Sequence, residues 1–479
     1  MEDQAVVLYS APAIGHLTPM VELGKLLLAN RPSFSIHVLL PSQAYDGGTV
    51  SPYIAAVSAA YRSITFHHLP PTSLPPDYST TSPHLETLAL ELLCLNSPNV
   101  HRALVSISKT SRVRALVIDF FCANALPVAR GLGIPCYYFF SSAAGGLAKF
   151  LRLPVLHRTT TKSLKDLDTV LRFPGLPPLL PSDIPDLLQD RNDRAYELLL
   201  ESATNMLMAS GIIGNTSEKL EEEAVKAIKD GKCVPDGPTP PLYCIGPLVA
   251  SGDGGKAGSG GPGNDTPECL TWLDSQPRES VVLLCFGSLG AFSAEQLKEI
   301  ATGLERSGQR FLWVIRNPAT GKGHKAVSTG EPDLDALLPE GFLERTAGRG
   351  LVVKSWAPQV AVLNHGAVGW FVTHCGWNSV LEAVCAGVPM IAWPLYAEQR
   401  QNRVFMVEAM RVALPMKEEG DGSVSAAEVE RRVRGLMGSE GEAVRERMRY
   451  LKEEVKAAVS PGGSAQAAVA KLVESWDIV

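Results

Sequence analysis

The chain has 479 residues, of which 45% are hydrophobic and 20% charged, and its formal net charge at pH 7 is −6. Because single hydrophobic cores stop growing near roughly 250–300 residues, this length predicts two domains. The composition is that of a globular protein and argues against disorder. The slightly acidic balance, with no cluster of lysine and arginine, argues against nucleic acid or an anionic membrane surface as a partner.

The N-terminus and the cysteines indicate a cellular compartment. Met1-Glu2-Asp3-Gln4 is acidic, whereas a secretory signal begins with basic residues. No stretch approaches 18 uninterrupted apolar residues, so we expect no membrane span. The nine cysteines are scattered singly without a CxxC pair, which is typical of reduced cytosolic thiols. We therefore predict a cytoplasmic protein and a monomer, and interpret the glycosylation sequon Asn215-Thr216-Ser217 as a chance match.

The first half of the chain alternates short apolar runs with helical patterns. Five runs are predicted to be buried strands: Val6–Tyr9, Ile36–Leu40, Ala115–Ile118, Cys136–Phe140 and Gly211–Gly214. After the first run, Thr18 is predicted to cap a helix and Pro19 to be its first residue. The apolar face of that helix is Met20, Leu23, Leu27 and Leu28. Strands separated by helices predict βαβ units and a mostly parallel sheet.

A glycine-rich stretch, Ser251–Asp265, interrupts this pattern and resembles a flexible linker. After it the alternation resumes with the predicted strands Val281–Phe286, Phe311–Ile315, Leu351–Val353, Gly369–Thr373 and Met390–Trp393. The C-terminal stretch, Glu440 to Trp476, is charged and helical in pattern. We predict an α/β protein with an N-terminal domain over 1–245, a linker over 246–265 and a C-terminal domain over 266–479. Open α/β sheets bind ligands at the carboxyl ends of their strands.

One segment, Trp356 to Gln399, carries the strongest chemical signal. Within it a buried strand ends near Thr373, Gly376 is predicted to form a tight turn, and Asn378 or Ser379 is predicted to cap the next helix. Such a helix start presents backbone N–H groups to an anion, so a phosphate or diphosphate is the natural ligand. Taken alone, an ordinary βα unit explains the turn equally well.

The whole segment, from WAPQ through HCGWNS to Glu398-Gln399, resembles the signature box of plant secondary-product glycosyltransferases. Three further stretches resemble other motifs of the same family: Gly15–Pro19, Phe286–Ser288 and Tyr243–Leu248. The resemblance implies the GT-B fold, in which two facing Rossmann-like α/β domains enclose a cleft. It also implies that the C-terminal half binds a UDP-sugar, the N-terminal half binds most of the acceptor, and the last helix crosses back to the N-terminal domain.

The resemblance assigns residues to each part of the UDP-sugar. The set for the base and ribose is Trp356, Ala357, Gln359 and Glu382. The set for the diphosphate is Ser288, His374, Asn378 and Ser379, and Gly376 is assigned to the UDP-sugar site as a whole. The set for the sugar is Trp377, Glu398 and Gln399, with Ser142 or its neighbour Ser141 from the N-terminal half. A closing glutamine favours glucose in this family, although the residue before it is more often aspartate than glutamate.

Two residues of the N-terminal half would make the protein an enzyme. His16 follows the first strand, and a neutral histidine there can take a proton from an acceptor hydroxyl. Asp119 ends a buried run and can orient that histidine. Taken alone, each residue is more often inert or structural, but the resembling family uses a His–Asp pair at these positions. The implied reaction is one-step inversion to a β-glucoside, with no cofactor and no metal.

The acceptor is the least determined part of the prediction. By resemblance, His16, Phe120 and Ala397 lie near it. An apolar set suits a flat phenol such as a flavonoid or chalcone, although core packing explains that set better on local grounds: Phe120, Phe121, Leu147, Phe150 and Leu151. The alternatives are a terpenoid, hormone or xenobiotic acceptor, transfer to carbon of a phenol ring, or a non-catalytic UDP-sugar-binding protein. A dinucleotide dehydrogenase is disfavoured because no GxGxxG follows the first strand.

Overall fold

The computed structural model describes residues 3–41, 50–75, 78, 82, 84–250, 266–318, 330–436 and 438–477. The chain divides into two compact units: unit 1 is Met1–Ser259 with Val455–Val479, and unit 2 is Gly260–Glu454. The predicted linker over 246–265 lies outside the described residues from position 251 onward. Among the described helices, none is long and apolar enough to cross a bilayer.

Unit 1 is built on a seven-stranded sheet in the order β3-β2-β1-β4-β5-β6-β7, with every paired strand parallel. The strands are β1 (Gln4–Tyr9), β2 (Phe34–Leu40), β3 (Ile64–His68), β4 (Arg112–Asp119), β5 (Cys136–Phe140), β6 (Gly211–Gly214) and β7 (Leu242–Cys244). The helices before the second unit are α1 (Ile14–Asn30), α2 (Val50–Ala60), α3 (Leu85–Leu95), α4 (Ser97–Ile107), α5 (Ala125–Gly131), α6 (Ala144–Thr159), α7 (Arg194–Met206) and α8 (Glu222–Lys229).

Unit 2 contains a six-stranded parallel sheet in the order β10-β9-β8-β11-β12-β13. Its strands are β8 (Val281–Cys285), β9 (Arg310–Ile315), β10 (Gly350–Lys354), β11 (Val368–Thr373), β12 (Met390–Ala392) and β13 (Ala413–Pro415). The helices from here to the C-terminus are α9 (Glu268–Asp274), α10 (Ala294–Ser307), α11 (Leu334–Leu337), α12 (Phe342–Thr346), α13 (Gln359–Leu363), α14 (Trp377–Ala386), α15 (Gln399–Val404), α16 (Ala426–Gly435), α17 (Ser439–Val459) and α18 (Ser464–Ser475).

The start of α1 differs from the prediction. The helix begins at Ile14, with Ala13 as its N-cap, so Thr18 and Pro19 lie inside it and the predicted cap is wrong. The earlier start lets Leu17 join the core at 2% exposure, and the N–H of Leu17 closes the first turn on the carbonyl of Ala13 at 2.9 Å. Burial of an extra apolar residue thus outweighs the backbone hydrogen bond that proline removes. The predicted apolar face is confirmed, with Met20 fully buried.

The C-terminal stretch forms two helices, α17 and α18, because Pro461-Gly462-Gly463 lies between them. Helix α18 belongs to unit 1 and places Val469, Leu472 and Trp476 in the core beside β1 and β2. The Trp476 ring lies 6.0 Å from Phe34 and 5.9 Å from Tyr137, measured between ring centroids. The end of the chain is therefore an integral part of the first core.

All ten predicted strands are present, most with one or two residues added or removed at an end. Three further strands, β3, β7 and β13, had escaped prediction. In β3 only Ile64 is fully buried, and β7 and β13 have three residues each, so none presents an apolar run long enough to be recognised. The nine cysteines all lie in the described part of the chain, and none is disulfide-bonded.

Candidate functional site

The strand order gives each sheet one point at which a ligand is expected to bind. In unit 1 the order reverses between the neighbouring strands β1 and β4, and in unit 2 it reverses between β8 and β11. Open parallel sheets bind ligands at such switch points, beyond the carboxyl ends of the strands. His16 follows β1 and Asp119 ends β4, while Gly287 follows β8 and His374 follows β11. Both sets of predicted residues therefore lie at switch points.

At the first switch point, Nδ1 of His16 lies 2.8 Å from Oδ2 of Asp119. The Asp119 side chain is fully buried and that of His16 is 23% exposed. The second carboxylate oxygen, Oδ1, accepts the backbone N–H of Phe121 at 3.0 Å. His16 is in the first turn of α1 rather than in the predicted loop, so a helix as well as a carboxylate fixes its position. The two residues predicted to cooperate are thus in direct contact.

Two aromatic side chains lie beside His16. The His16 ring lies 5.9 Å from Phe120 and 5.3 Å from Phe121, and Phe120 also packs on Phe140 at 4.8 Å. A small cavity borders Phe121 and includes the Glu201 side chain in its lining. The wall beside His16 is therefore aromatic.

The rest of the predicted apolar set is mainly core. Leu147 is 1% exposed, Leu151 is fully buried and Phe150 is 5% exposed. For Leu147 and Leu151, this burial favours the packing interpretation over the acceptor-pocket interpretation. Phe150 remains connected to the aromatic wall through Phe120, at 6.1 Å between ring centroids.

Ser142 precedes α6 by two residues. Its hydroxyl is buried and makes no hydrogen bond with any described residue. The neighbouring Ser141 is also buried, at 7% exposure. A buried hydroxyl without a partner is costly, which is typical of a group that awaits a ligand or water.

At the second switch point, two glycines enclose the His374 ring. A β-carbon at Gly287 would lie 2.6 Å from Nε2 of His374, and a β-carbon at Gly376 would lie 2.4 Å from it. The chain turns from β11 into α14 at this point, and Gly376 itself has an ordinary φ of −63°. The left-handed residue is Cys375 with φ of 67°, and Gly376 is required for space.

The helix after this turn begins at Trp377 with Gly376 as its N-cap, so neither Asn378 nor Ser379 is the cap. Both instead lie in the first turn. The hydrogen-bond ladder of the helix starts only at Val380, whose N–H donates to the carbonyl of Gly376 at 3.1 Å. The N–H groups of the first turn therefore precede the ladder, as in an anion-binding helix start. Trp377 is buried at this helix start, at 3% exposure.

The charge state of His374 follows from its burial. The side chain is 7% exposed, and its Nδ1 has no hydrogen-bond partner among the described residues. Desolvation lowers the pKa of His374 from 6.5 to about 4, so the ring is neutral at pH 7.

Ser288 lies in the loop that follows β8 and is exposed. Its backbone carbonyl accepts a hydrogen bond from Nη1 of Arg316 at 2.8 Å.

A polar network lies beside the start of α14. Nε2 of Gln359 donates to Oγ of Ser379 at 2.9 Å and to Oε2 of Glu382 at 2.7 Å. Burial raises the pKa of Glu382 from 4.5 to about 7, against the opposing effect of the Gln359 hydrogen bond. Trp356 is 40% exposed, an unusual state for tryptophan, whereas Ala357 is 6% exposed. An exposed indole beside donors and a carboxylate suits a planar base and a ribose.

The end of the signature segment is held by Gln399, which is 3% exposed. Its Oε1 accepts the N–H groups of Leu395 at 2.9 Å and Tyr396 at 3.0 Å. This fixes the turn that carries exposed Ala397, with φ of 54°, and half-buried Glu398. Non-glycine residues in this left-handed region store strain and are typical of functional sites.

Sequence reasoning missed Asn402. This residue is fully buried on α15, and its Nδ2 donates to the carbonyl of Cys375 at 3.0 Å. It thereby holds the left-handed peptide next to His374. The available signal was an asparagine three residues after Gln399. The helical pattern alone does not tell a buried asparagine at this position from a solvated one.

Two parallel α/β units, with a helix start beside His374 and an exposed indole in the second, are typical of nucleotide-sugar transferases of the GT-B class. A family model described as UDP-glucoronosyl and UDP-glucosyl transferase matches residues 262–428. A UDP-glycosyltransferase 88B1 of Stevia rebaudiana is 49% identical over 99% of both chains. An anthocyanidin 5,3-O-glucosyltransferase of a Rosa hybrid cultivar is 48% identical over 99% of both.

The solved structures agree. UGT2 of Phytolacca americana, in complex with UDP-2-fluoro-glucose and pterostilbene, has a TM-score of 0.86 at 37% identity, covering 99% of this chain and 100% of that one. The chain belongs to the UDP-glucoronosyl and UDP-glucosyl transferase family, and it is a UDP-sugar-dependent glycosyltransferase.

Proposed function

We propose that the protein moves glucose from UDP-glucose to a small phenolic acceptor, such as a flavonoid or chalcone, and gives a β-glucoside. The observation that carries the proposal is the contact of 2.8 Å between His16 and Asp119 at the first switch point. A UDP-sugar-binding protein without activity has no need of a buried carboxylate that orients a histidine.

In the proposed reaction, His16 is the general base. An ionised carboxylate only accepts hydrogen bonds, so the Nδ1–H of His16 donates to Asp119 and the proton stays on Nδ1. The other ring nitrogen, Nε2, is then unprotonated and takes the proton of the acceptor hydroxyl. The buried negative charge of Asp119 also stabilises the imidazolium that forms. The acceptor oxygen then attacks the anomeric carbon from the face opposite UDP, which inverts the configuration.

The departing diphosphate gains negative charge as the glycosidic bond breaks. The N–H groups that begin α14, the Nε2–H of neutral His374 and the hydroxyl of Ser288 are the donors proposed to stabilise it. Glu382 and Gln359 are proposed to bind the ribose and Trp356 to stack on uracil. Glu398 and Gln399 are proposed to bind the sugar hydroxyls, with the Ser142 hydroxyl as a further donor.

The proposed reaction uses no metal and no cofactor, because the neutral hydrogen-bond donors named above stabilise the negative charge that develops on the diphosphate. Turnover of the purified enzyme should therefore be unchanged after dialysis against EDTA. Loss of turnover on chelation, with recovery on adding Mg²⁺ or Mn²⁺, contradicts this part of the proposal.

The acceptor class is supported by the aromatic wall beside His16 and by the names of similar proteins. One relative acts on anthocyanidins, and the Phytolacca americana structure holds pterostilbene. A phenol ionises more readily than an aliphatic alcohol and so makes a smaller demand on His16.

The deciding experiment is product identification. Purified protein is incubated with a mixture of flavonoids, chalcones, terpenoid alcohols and simple phenols, and with UDP-glucose, UDP-galactose and UDP-xylose in competition. Mass spectrometry identifies the products, and NMR gives the anomeric configuration and the linked atom. We expect a β-O-glucoside of a phenol. A terpenoid product, a C-glycoside, an α-linkage or a preference for another sugar each contradicts the corresponding part of the proposal.

A further inference from the structure

Glu221 carries a buried carboxylate outside the proposed catalytic pair, and the residue is 7% exposed. It accepts three hydrogen bonds: from the N–H of Ala144 at 2.8 Å, from the N–H of Gly145 at 3.0 Å and from Oγ1 of Thr216 at 2.7 Å. Burial raises the pKa of this carboxyl group, and the three donors oppose that shift. Within the described part of the chain, no cation pairs with it.

Two of these three hydrogen bonds, those from Ala144 and Gly145, make Glu221 the cap of α6. Ala144 and Gly145 are the first two residues of that helix, and the N-cap residue, Ala143, has no side-chain group to satisfy them. Glu221, which follows Ala144 by 77 residues, supplies the missing acceptors. Its negative charge also faces the positive end of the helix dipole.

Ser142 lies immediately before this capped end. Its hydroxyl is buried and has no partner among the described residues, so its direction depends on the backbone that carries it. That backbone continues directly into Ala144 and Gly145, the two residues that Glu221 holds. A shift of the helix start would therefore move the Ser142 hydroxyl.

Glu221 is itself anchored by the triplet that resembles a glycosylation sequon. Thr216 donates to the carboxylate, and Oδ1 of Asn215 accepts the N–H of Leu248 at 2.8 Å. Asn215 is fully buried, so the folded chain cannot present it for glycosylation. The triplet has a structural role, and the interpretation of the sequon as a chance match agrees with this burial.

We propose that Glu221 is a positioning residue for glycosyl transfer, whose carboxylate fixes the start of α6 and, with it, the position of the Ser142 hydroxyl. The inference rests on the proposed contact of Ser142 with the UDP-sugar. It adds a residue that lies outside both the signature segment and the catalytic pair.

The test is a double-mutant cycle between Glu221→Gln and Ser142→Ala. The constants kcat and KM are measured for UDP-glucose at saturating acceptor and for the acceptor at saturating UDP-glucose. Glutamine keeps the size of the side chain but replaces one acceptor oxygen by a donor, so one helix N–H loses its partner. We expect each single variant to lose about tenfold in kcat/KM for UDP-glucose, with little change in KM for the acceptor. The loss of kcat/KM in the double variant should be no greater than the larger of the two single losses, because both changes remove the same contact.

Glu222→Gln is the matched control, since Glu222 is the exposed neighbour of Glu221 and pairs with Lys219 at 2.9 Å. It should leave all constants unchanged. Thr216→Val removes one of the three hydrogen bonds and serves if Glu221→Gln does not fold; it should show a smaller loss of the same kind. Circular dichroism and the thermal midpoint check folding of every variant.

Additive losses in the double variant overturn the proposal, because they show that Glu221 acts independently of Ser142. A loss in Glu221→Gln beside an unaffected Ser142→Ala overturns it as well, although the glycosyltransferase function then stands. Failure of the unmodified enzyme to transfer glucose is a separate outcome and refutes the proposed function itself.

Discussion

His16 and Asp119 are 103 positions apart in the chain, and their side chains meet at 2.8 Å because β1 and β4 are neighbours in the sheet. The contact makes a prediction for each partner. His16→Ala should lower kcat by about 100- to 10,000-fold, the usual contribution of a general base. Asp119→Asn keeps the shape but replaces the acceptor-only carboxylate, and should cost about 100-fold.

Both variants should bind UDP with unchanged affinity by calorimetry, since the proposed UDP contacts lie in unit 2. Turnover of either variant at the rate of the unmodified enzyme would remove the pair from the mechanism. A parallel loss of UDP affinity would show that the substitution had disturbed the fold.

Gly376→Ala should weaken UDP binding by about tenfold or more without a backbone penalty. The φ of Gly376 suits alanine, but the new β-carbon would lie 2.4 Å from Nε2 of His374 and would displace the ring. Gly366→Ala is the control, because a β-carbon there meets nothing within 4 Å. Calorimetric titration with UDP distinguishes them, and equal affinities would show that the His374 position is unimportant for binding.

Trp356→Ala should weaken UDP binding by roughly 5- to 150-fold, the usual range for loss of one base–aromatic stack. Because the side chain is 40% exposed, the thermal midpoint should change little. Trp356→Phe should restore most of the affinity. If affinity instead fell together with the thermal midpoint, Trp356 would be a packing residue rather than a platform for the base.

Glu382 and His374 give opposite dependences of stability on pH in the ligand-free protein. The pKa of Glu382 is raised from 4.5 to about 7, so in that interval the folded state holds a proton that the unfolded state has lost, and stability falls as pH rises. The pKa of His374 is lowered from 6.5 to about 4, so between these values the unfolded state holds the extra proton, and stability rises with pH.

Glu382→Gln should therefore uncover the His374 contribution. Urea midpoints of the variant should rise more steeply from pH 4.5 to 6.5 than those of the unmodified protein. The ionised carboxylate accepts from two ribose hydroxyls more strongly than the protonated group, in which one oxygen carries the proton. UDP affinity of the unmodified protein should therefore increase as pH rises through 7. Parallel stability curves for the two proteins would contradict the shifted pKa of Glu382.

Ten of the thirteen described strands and the site residues at their polar ends were predictable, because buried β runs and polar strand ends leave a local signal. The helix starts were not: Ile14 and Trp377 begin their helices earlier than capping rules indicate, since burial of Leu17 and room for His374 decide them. The roles of Glu221 and Asn402 depend on contacts across long stretches of chain, for which no local pattern exists. The family resemblance supplied the sugar nucleotide, which the residues alone did not.

The return of the chain from unit 2 to unit 1 at Val455 has a consequence for biosynthesis. Trp476 fills the core beside Phe34 and Tyr137, so a nascent chain that has already completed the first sheet still exposes that apolar surface. Domains usually fold in order of synthesis. Here the half that emerges first is the half that finishes last, and premature termination near the 3′ end of the message would leave the earliest-made domain unfinished.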